Sequence, residues 1–301
     1  ENKRGVRAGY AKYETFPIWN LPLKHPVNLA YEAATADLND VNMIDPFHLE
    51  AYGKTTVNYN RDVEIFPVLN AMFEKIQGTS PYRSPTDMGV NMAGFAIVDD
   101  AACQAASRME ILRRYYTGLV DRVKGKCDDS VVRKLEIVMQ QAGVTPDICP
   151  AVKAALDKAA ETGTPSAAML LPDGRMVTGK TTSLLGPSAA MLLNAVKLLA
   201  GIDKDLDLLP SSIIAPISDM KTRHLGHHNP RLHSDEVLIA LSISAVTNPL
   251  AERVLKKLDD LRGSEAHFSV ILSEEDEKLY KRLGIHVSCE PKYEVKKLYH
   301  K

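Results

Sequence analysis

Over residues 1–98 short apolar runs alternate with segments of helical periodicity, an order that predicts an open α/β sheet whose strands are joined by crossover helices. Gly9 to Trp19 is rich in aromatic residues and reads as a strand closed by Asn20 and Pro22. Val27 to Leu38 places Leu29, Ala30, Ala33, Ala34 and Leu38 at helical spacing, and Val41 to Ile44 reads as a buried strand stopped by Asp45-Pro46. Asn58 to Gln77 opens on polar capping residues and continues as an amphipathic helix through Val63, Phe66, Leu69, Met72, Phe73 and Ile76, with Gly78 as its stop. A Pro/Ser/Thr-rich loop, Thr79 to Thr86, leads to the apolar stretch Met92 to Val98.

The chain then divides further. Residues 99–164 are dominated by helix formers broken at Gly125, Gly143 and Cys149-Pro150, and read as a helical connector. Its first helix carries Arg108, Arg113, Arg114, Arg122, Lys124 and Lys126 against Glu110 and Asp121; a solvated face explains these charges, and a phosphate or partner face is the alternative. Residues 165–301 form a second α/β domain, opening with a hairpin, Ala167 to Leu171 and Arg175 to Thr178, turned by Pro172-Asp173-Gly174. Pro187 to Ala200, Ser234 to Val246 and Pro249 to Leu261 read as helices, and the first two are apolar enough to be buried or to form a subunit interface. Phe268 to Leu272, Glu274 to Leu283 and His286 to Cys289 form a β-α-β tail, with Ser273 and Asp276 spaced as a capping box.

Composition narrows the function. Apolar residues make up 45% and charged residues 25%, with no apolar run near the ~18 residues that span a bilayer, so a membrane protein is not expected. The formal net charge of -1 supplies no global field for nucleic acid, which is not expected as a partner. The four cysteines, Cys103, Cys127, Cys149 and Cys289, are scattered in a chain long enough to fold without cross-links, which predicts reduced thiols and a cytoplasmic location. The first residue is Glu1 rather than Met, so a longer parent polypeptide is expected.

Three groups of residues could carry chemistry. Gly174-Arg-Met-Val-Thr-Gly179-Lys180-Thr181 satisfies the phosphate-loop pattern G-x4-G-K-[ST] and makes Lys180 a candidate phosphate ligand. Its context argues instead for a hairpin, because a phosphate loop needs a strand before the first glycine and a helix from the lysine, and Gly186-Pro187 would break that helix. His224, His227, His228 and His233 lie with Asp235 and Glu236 in a Pro/Gly-containing segment whose donors suit Zn, Mn or Fe. Against that stands a helix start capped by Ser234 or His233, with Asp235 and Glu236 in the first turn. The third group is positional. Glu14 and Asn20 lie near the first strand, and Asp45 and His48 follow the second, where open α/β sheets bind ligands and an Asp can hold Mg2+ through water. Asn58, Tyr59, Asn60, Arg61 and Asp62 crowd a helix start where Arg61 could hold an anion, and Thr86, Asp87 and Asn91 lie on a loop with two prolines and two glycines.

The stretches Ala11 to Tyr52, Pro85 to Gly94 (PTDMGVNMAG), Leu171 to Gly186 (LPDGRMVTGKTTSLLG) and Asn229 to Ala245 (NPRLHSDEVLIALSISA) resemble the bacterial uncharacterised protein family 0371, also called domain of unknown function 1846. The family has no assigned reaction. Its resemblance implies an N-terminal portion ending in a glycine-rich G-P-G-S-G-K segment like a phosphate-binding loop, which would make residues 1–98 the C-terminal part of a nucleotide-binding-like domain. Glu14, Asn20, Asp45, His48, Asn58, Arg61, Asp87, Asn91, Arg231, His233, Asp235 and Glu236 fall in family-like stretches; His224, His227 and His228 do not.

The leading expectation is an enzyme acting on a nucleotide-like or phosphorylated small molecule. Asp45 and His233 would be near a metal, Mg2+ with a nucleotide being the expected cofactor. His233, Asp235, Glu236 and Asp45 would carry the chemistry, while Asn58, Arg61, Asp87, Asn91, Lys180 and Arg231 would bind the ligand. The alternatives are a non-catalytic homo-oligomeric assembly protein and a metal-dependent hydrolase using His227, His228, His233 and Asp235.

Overall fold

The computed structural model describes residues 17–294 and, before them, Gly5. Glu14 and most of the expected first strand lie outside the described residues. The chain is mixed α/β and separates into two compact units, residues 1–118 with 125–145 and residues 119–124 with 146–301.

The first unit is mainly helical. Its elements are α1 (Pro26–Ala34), β1 (Asn42–Ile44), α2 (Pro46–Tyr52), β2 (Val57–Tyr59), α3 (Asn60–Gln77), α4 (Pro85–Met88), most of α5 (Asp100–Val123) and α6 (Asp129–Ala142). Strands β1 and β2 pair antiparallel, with Met43 opposite Asn58. Ile18 makes an isolated parallel bridge to Asn91. The pairing is antiparallel because the connection is short: Asp45 caps α2, Pro46 starts it, and the chain turns back at Gly53 in the left-handed region, φ 65°. The expected helix over Asn58 to Gln77 begins two residues later, since Val57–Tyr59 is spent on β2. Met92–Ala96 is a short 3-10 turn.

The second unit contains α7 (Pro150–Thr162), β3 (Ser166–Leu170), β4 (Met176–Lys180), α8 (Pro187–Leu199), α9 (Ser211–Asp219), α10 (Ser234–Ala245), α11 (Pro249–Leu255), β5 (Glu265–Phe268), α12 (Glu274–Arg282) and β6 (His286–Cys289). The sheet order is β4-β3-β5-β6; β3 is antiparallel to β4 and β5, and β5 is parallel to β6. Strands β4, β5 and β6 therefore run in one direction and share a carboxyl edge. Ala167, Met169, Val177, Ala266 and Phe268 join a core with Met191, Leu192, Ala195, Val237, Leu241 and Tyr280 of α8, α10 and α12. Tyr280 meets Phe268 edge-on, ring centroids 5.4 Å apart. Helix α8 is thus a core element of this unit. Strand β5 sits earlier than Phe268 to Leu272, because the backbone of Ser269 is the last to bond β3.

The phosphate-loop pattern is a hairpin, as its context favours. Leu170 pairs with Met176 across the turn, Gly174 takes φ 85°, and Lys180 is the exposed last residue of β4. Gly179 has a packing reason: a Cβ there would lie 2.2 Å from the backbone nitrogen of Met191, so only glycine lets α8 lie this close to β4. Gly179→Ala is expected to destabilise the protein by about 1–3 kcal/mol through overpacking, read as a lower urea midpoint with unchanged slope. An unchanged midpoint would show that α8 can retreat without cost.

Candidate functional site

In the first unit the predicted residues converge on the start of α2. Asp45 is fully buried. One of its oxygens accepts the His48 N–H at 3.0 Å, and the other accepts the Thr86 N–H at 3.1 Å and the Thr86 hydroxyl at 2.5 Å. Asp45 is therefore an N-cap and a tie between α2 and α4. Three protein donors already answer its carboxylate, so it does not fit the Mg2+ role expected of it. His48 Nδ1 lies 2.9 Å from Ser84 Oγ and 3.7 Å from Asp87 Oδ1. Serine and carboxylate share one ring nitrogen, so these residues lack the relay geometry in which a base holds its nucleophile on one nitrogen and its acid on the other. Asp87 accepts hydrogen bonds from the Tyr52 hydroxyl and the Arg83 N–H, each at 2.9 Å, and the first of these pushes the Tyr52 hydroxyl above its ordinary pKa.

The other first-unit candidates have local work. Asn58 is buried in β2 and its side chain accepts the Tyr59 N–H. Arg61 grips buried Asp40 through two nitrogens, 2.5 and 2.8 Å, and lies over the Tyr59 ring. Asn91 accepts the Ala93 N–H and so caps the 3-10 turn. Asn20 packs where a side chain at Gly94 would be. A groove of about 760 Å3 between α2 and α3, bordered by Phe47, Phe66, Tyr82 and Arg83, includes none of the predicted ligand residues.

The second unit gathers a different set where α8, α10 and α12 begin. Asp276, in the first turn of α12, accepts the Ser188 hydroxyl of α8 at 2.7 Å and the Ser234 N–H of α10 at 2.8 Å. His233, the residue before α10, brings Nδ1 to 3.6 Å from the same carboxylate. The Tyr280 hydroxyl donates to the Ser188 carbonyl at 2.9 Å. Helices α8 and α12 follow the carboxyl ends of β4 and β5, so the cluster stands at the sheet edge where α/β proteins place ligands. Leu185 and Leu232 bridge the two approaching loops.

A single π turn, Met220–His224, follows α9 and points Lys221 into this region. Lys221 is 1% exposed; its ammonium donates to the Arg231 carbonyl and to Glu236, each at 2.8 Å, and Glu236 also accepts the His233 N–H. Arg231 pairs with Glu294 at 2.6 Å. Asp235 accepts the N–H of Glu236 at the exposed surface. Of the predicted residues Arg231, His233, Asp235 and Glu236 thus lie together, while Lys180 ends β4 on the surface. His224, His227 and His228 are exposed, and among the described residues no three His, Cys, Asp or Glu side chains are grouped to hold a metal ion. The metal-dependent hydrolase expected of this segment, and a metal at His233, therefore have no ligand set here.

Asp276, Ser188 and Lys221 were not singled out as chemical residues by sequence. The Asp276 N–H does donate the capping bond to Ser273 Oγ, as the spacing suggests, but its carboxylate turns to other helices. Burial alone would raise the Asp276 carboxyl; the bonds from His233, Ser234 and Ser188 outweigh it and hold the group down to about 2. The same carboxylate raises His233 above its ordinary 6.5, with burial opposing. The His233 ring keeps 24% of its surface exposed.

What fold and site define is a two-unit α/β protein with a buried carboxylate paired to a part-exposed imidazole at the carboxyl edge of its larger sheet. Residues 1–143 match the family model described as domain of unknown function DUF1846, N-terminal, and residues 147–299 match its C-terminal counterpart. The UPF0371 protein stu1377 of Streptococcus thermophilus and the UPF0371 protein SpyM50764 of Streptococcus pyogenes serotype M5 are each 58% identical to the chain over 297 residues. That stretch is 99% of this chain and 60% of each relative, so the chain spans about three fifths of their length. The chain belongs to the DUF1846 family, whose curated relatives carry the name UPF0371.

The pair makes stability pH-dependent. Asp276 is depressed, so its contribution is present above pH 3.8 and lost as pH falls toward about 2. His233 is raised, so its contribution is full below pH 6.5 and lost as pH rises through its higher folded value. The stability gap between the natural chain and His233→Gln is expected to be widest between pH 3.8 and 6.5 and to close above it, measured by urea midpoints across pH. A gap that stays constant through pH 9 would exclude the ion pair as its source.

Proposed function

We propose that the chain is the proton-transfer part of an enzyme that acts on a phosphorylated, nucleotide-like small molecule. One observation carries this reading: His233 is backed by buried Asp276 at the carboxyl edge of β4 and β5, with part of its ring open to solvent. A carboxylate behind one imidazole nitrogen fixes the ring and favours its protonated form, which suits a general acid near neutral pH. Lys221 and Glu236 hold the backbone on which His233 stands. The phosphate-gripping element in this reading belongs to the part of the relatives' polypeptide outside the aligned stretch, where the resemblance implies a glycine-rich loop. The four cysteines are scattered in a chain long enough to fold without cross-links, which supports a reducing, cytoplasmic setting.

The test uses the full-length family polypeptide and a panel of nucleotides and sugar phosphates. At least one ligand is expected to bind and turn over. His233→Gln at this position is expected to lower kcat about 10²–10⁴-fold, the usual worth of a general acid, with little change in ligand affinity. Full turnover in that variant, or no binding by any member of the panel, would overturn the reading.

A second reading, a homo-oligomer, is favoured by α10. No charged residue occurs from Val237 to Leu250, yet Ile239, Ile243 and Val246 are 59%, 53% and 83% exposed. A helix apolar on all sides is normally covered on all sides. Light scattering is expected to give a dimer or larger species that Ile243→Glu converts to monomer; a monomeric natural protein rules this reading out.

A further inference from the structure

The longest helix lying wholly in the first unit, α3, presents two apolar faces, of which one is used. Val63 and Phe66 are buried against the unit. On the other side Ile65, Val68, Met72 and Ile76 are 45%, 55%, 53% and 62% exposed. Their spacing, i, i+3, i+7 and i+11, makes a continuous seam about three turns long, the pattern by which one helix seats on a neighbouring apolar element. The unit itself offers little to cover such a seam. Among the described residues its only sheet is the three-residue ribbon β1-β2, and a two-stranded sheet of that size is marginal alone.

The charges beside the seam exclude one class of occupant. Arg61 and Lys75 stand against Asp62, Glu64 and Glu74 along α3, so the polar side is mixed and slightly acidic. An amphipathic helix that lies on anionic lipid carries a basic polar face, which α3 lacks. The two signs also give no pull toward a strongly acidic or basic protein.

What remains is apolar polypeptide, and the relatives supply it within the same chain. The aligned stretch is 60% of each relative, leaving two fifths of their polypeptide outside it. A segment joined covalently reaches α3 at high effective concentration, ahead of any free partner. We propose that the α3 seam of Ile65, Val68, Met72 and Ile76 is the seat on which that remaining portion of the family polypeptide docks. The first unit is on this view one layer of a larger domain, and α3 faces its interior.

The two parts can be tested in trans. The remaining portion of the S. thermophilus stu1377 relative, tagged and co-expressed with this chain, is expected to co-purify with it as a one-to-one complex. Met72→Glu places a charge in the seam and is expected to weaken the association more than about tenfold, while Ile137→Glu, an equally exposed site on α6, leaves it unchanged. Because Met72 is exposed in the isolated chain, its replacement should not alter the melting temperature; if it does, Ile65→Gln with Ile76→Gln replaces it. Lack of association, association indifferent to the seam variants, or a chain that uses α3 to pair with a second copy of itself would each overturn the proposal. Binding is the readout, so its failure is independent of whether His233 moves a proton.

Discussion

The second unit is organised around the carboxylate of Asp276. A buried ionised carboxyl costs several kcal/mol in lost hydration, and such a charge persists only where donors surround it. Here the donors come from elements distant in sequence: Ser188 at the start of α8, Ser234 at the start of α10, and the neighbouring imidazole of His233. Each helix start also contributes the positive end of its peptide dipoles. One group thereby fixes how three helices meet over the sheet, and the aromatic pair Tyr280–Phe268 continues the contact into the apolar core. The position of His233 follows from this arrangement, since it precedes the residue whose N–H the carboxylate holds.

Elements with local causes could be read along the chain, and those with distant causes could not. Pro172-Asp173-Gly174 makes a turn whatever surrounds it, so the hairpin was legible, and the apolar period of Pro187 to Leu199 marks α8 without reference to its neighbours. Asp276 shows the limit. Its spacing from Ser273 is a capping signal, and the capping bond exists, but the chemistry of the side chain depends on Ser188, 88 residues earlier. Lys221 gave no signal, because its burial comes from a π turn after α9 in a region without clear periodicity. Asp45 was legible as a position and not as a role: the residue does follow a strand, and Thr86, 41 residues on, takes up its carboxylate.

The phosphate-loop match separates pattern from mechanism. Its two glycines are required here by a left-handed turn at Gly174 and by the approach of α8 at Gly179. Neither reason concerns phosphate. A residue pattern that demands small side chains at fixed spacing is satisfied equally by a hairpin under a close-packed helix, and Lys180 then ends an exposed strand rather than starting a helix.

Charge around His233 further limits what its open edge can meet. Asp276, Asp235 and Glu236 lie close to it, Lys221 is turned to Glu236, and Arg231 is committed to Glu294. This surplus of carboxylates draws a proton onto the imidazole, and it repels a free dianion that approaches the same point. A phosphate would be poorly held here without another cation source, whereas a neutral hydroxyl or leaving oxygen would meet an imidazole whose protonated form Asp276 favours. On the proposed reading the two tasks would therefore be separate, proton donation at α10 and phosphate grip at a distance, and the second would need a part of the polypeptide other than this helix start.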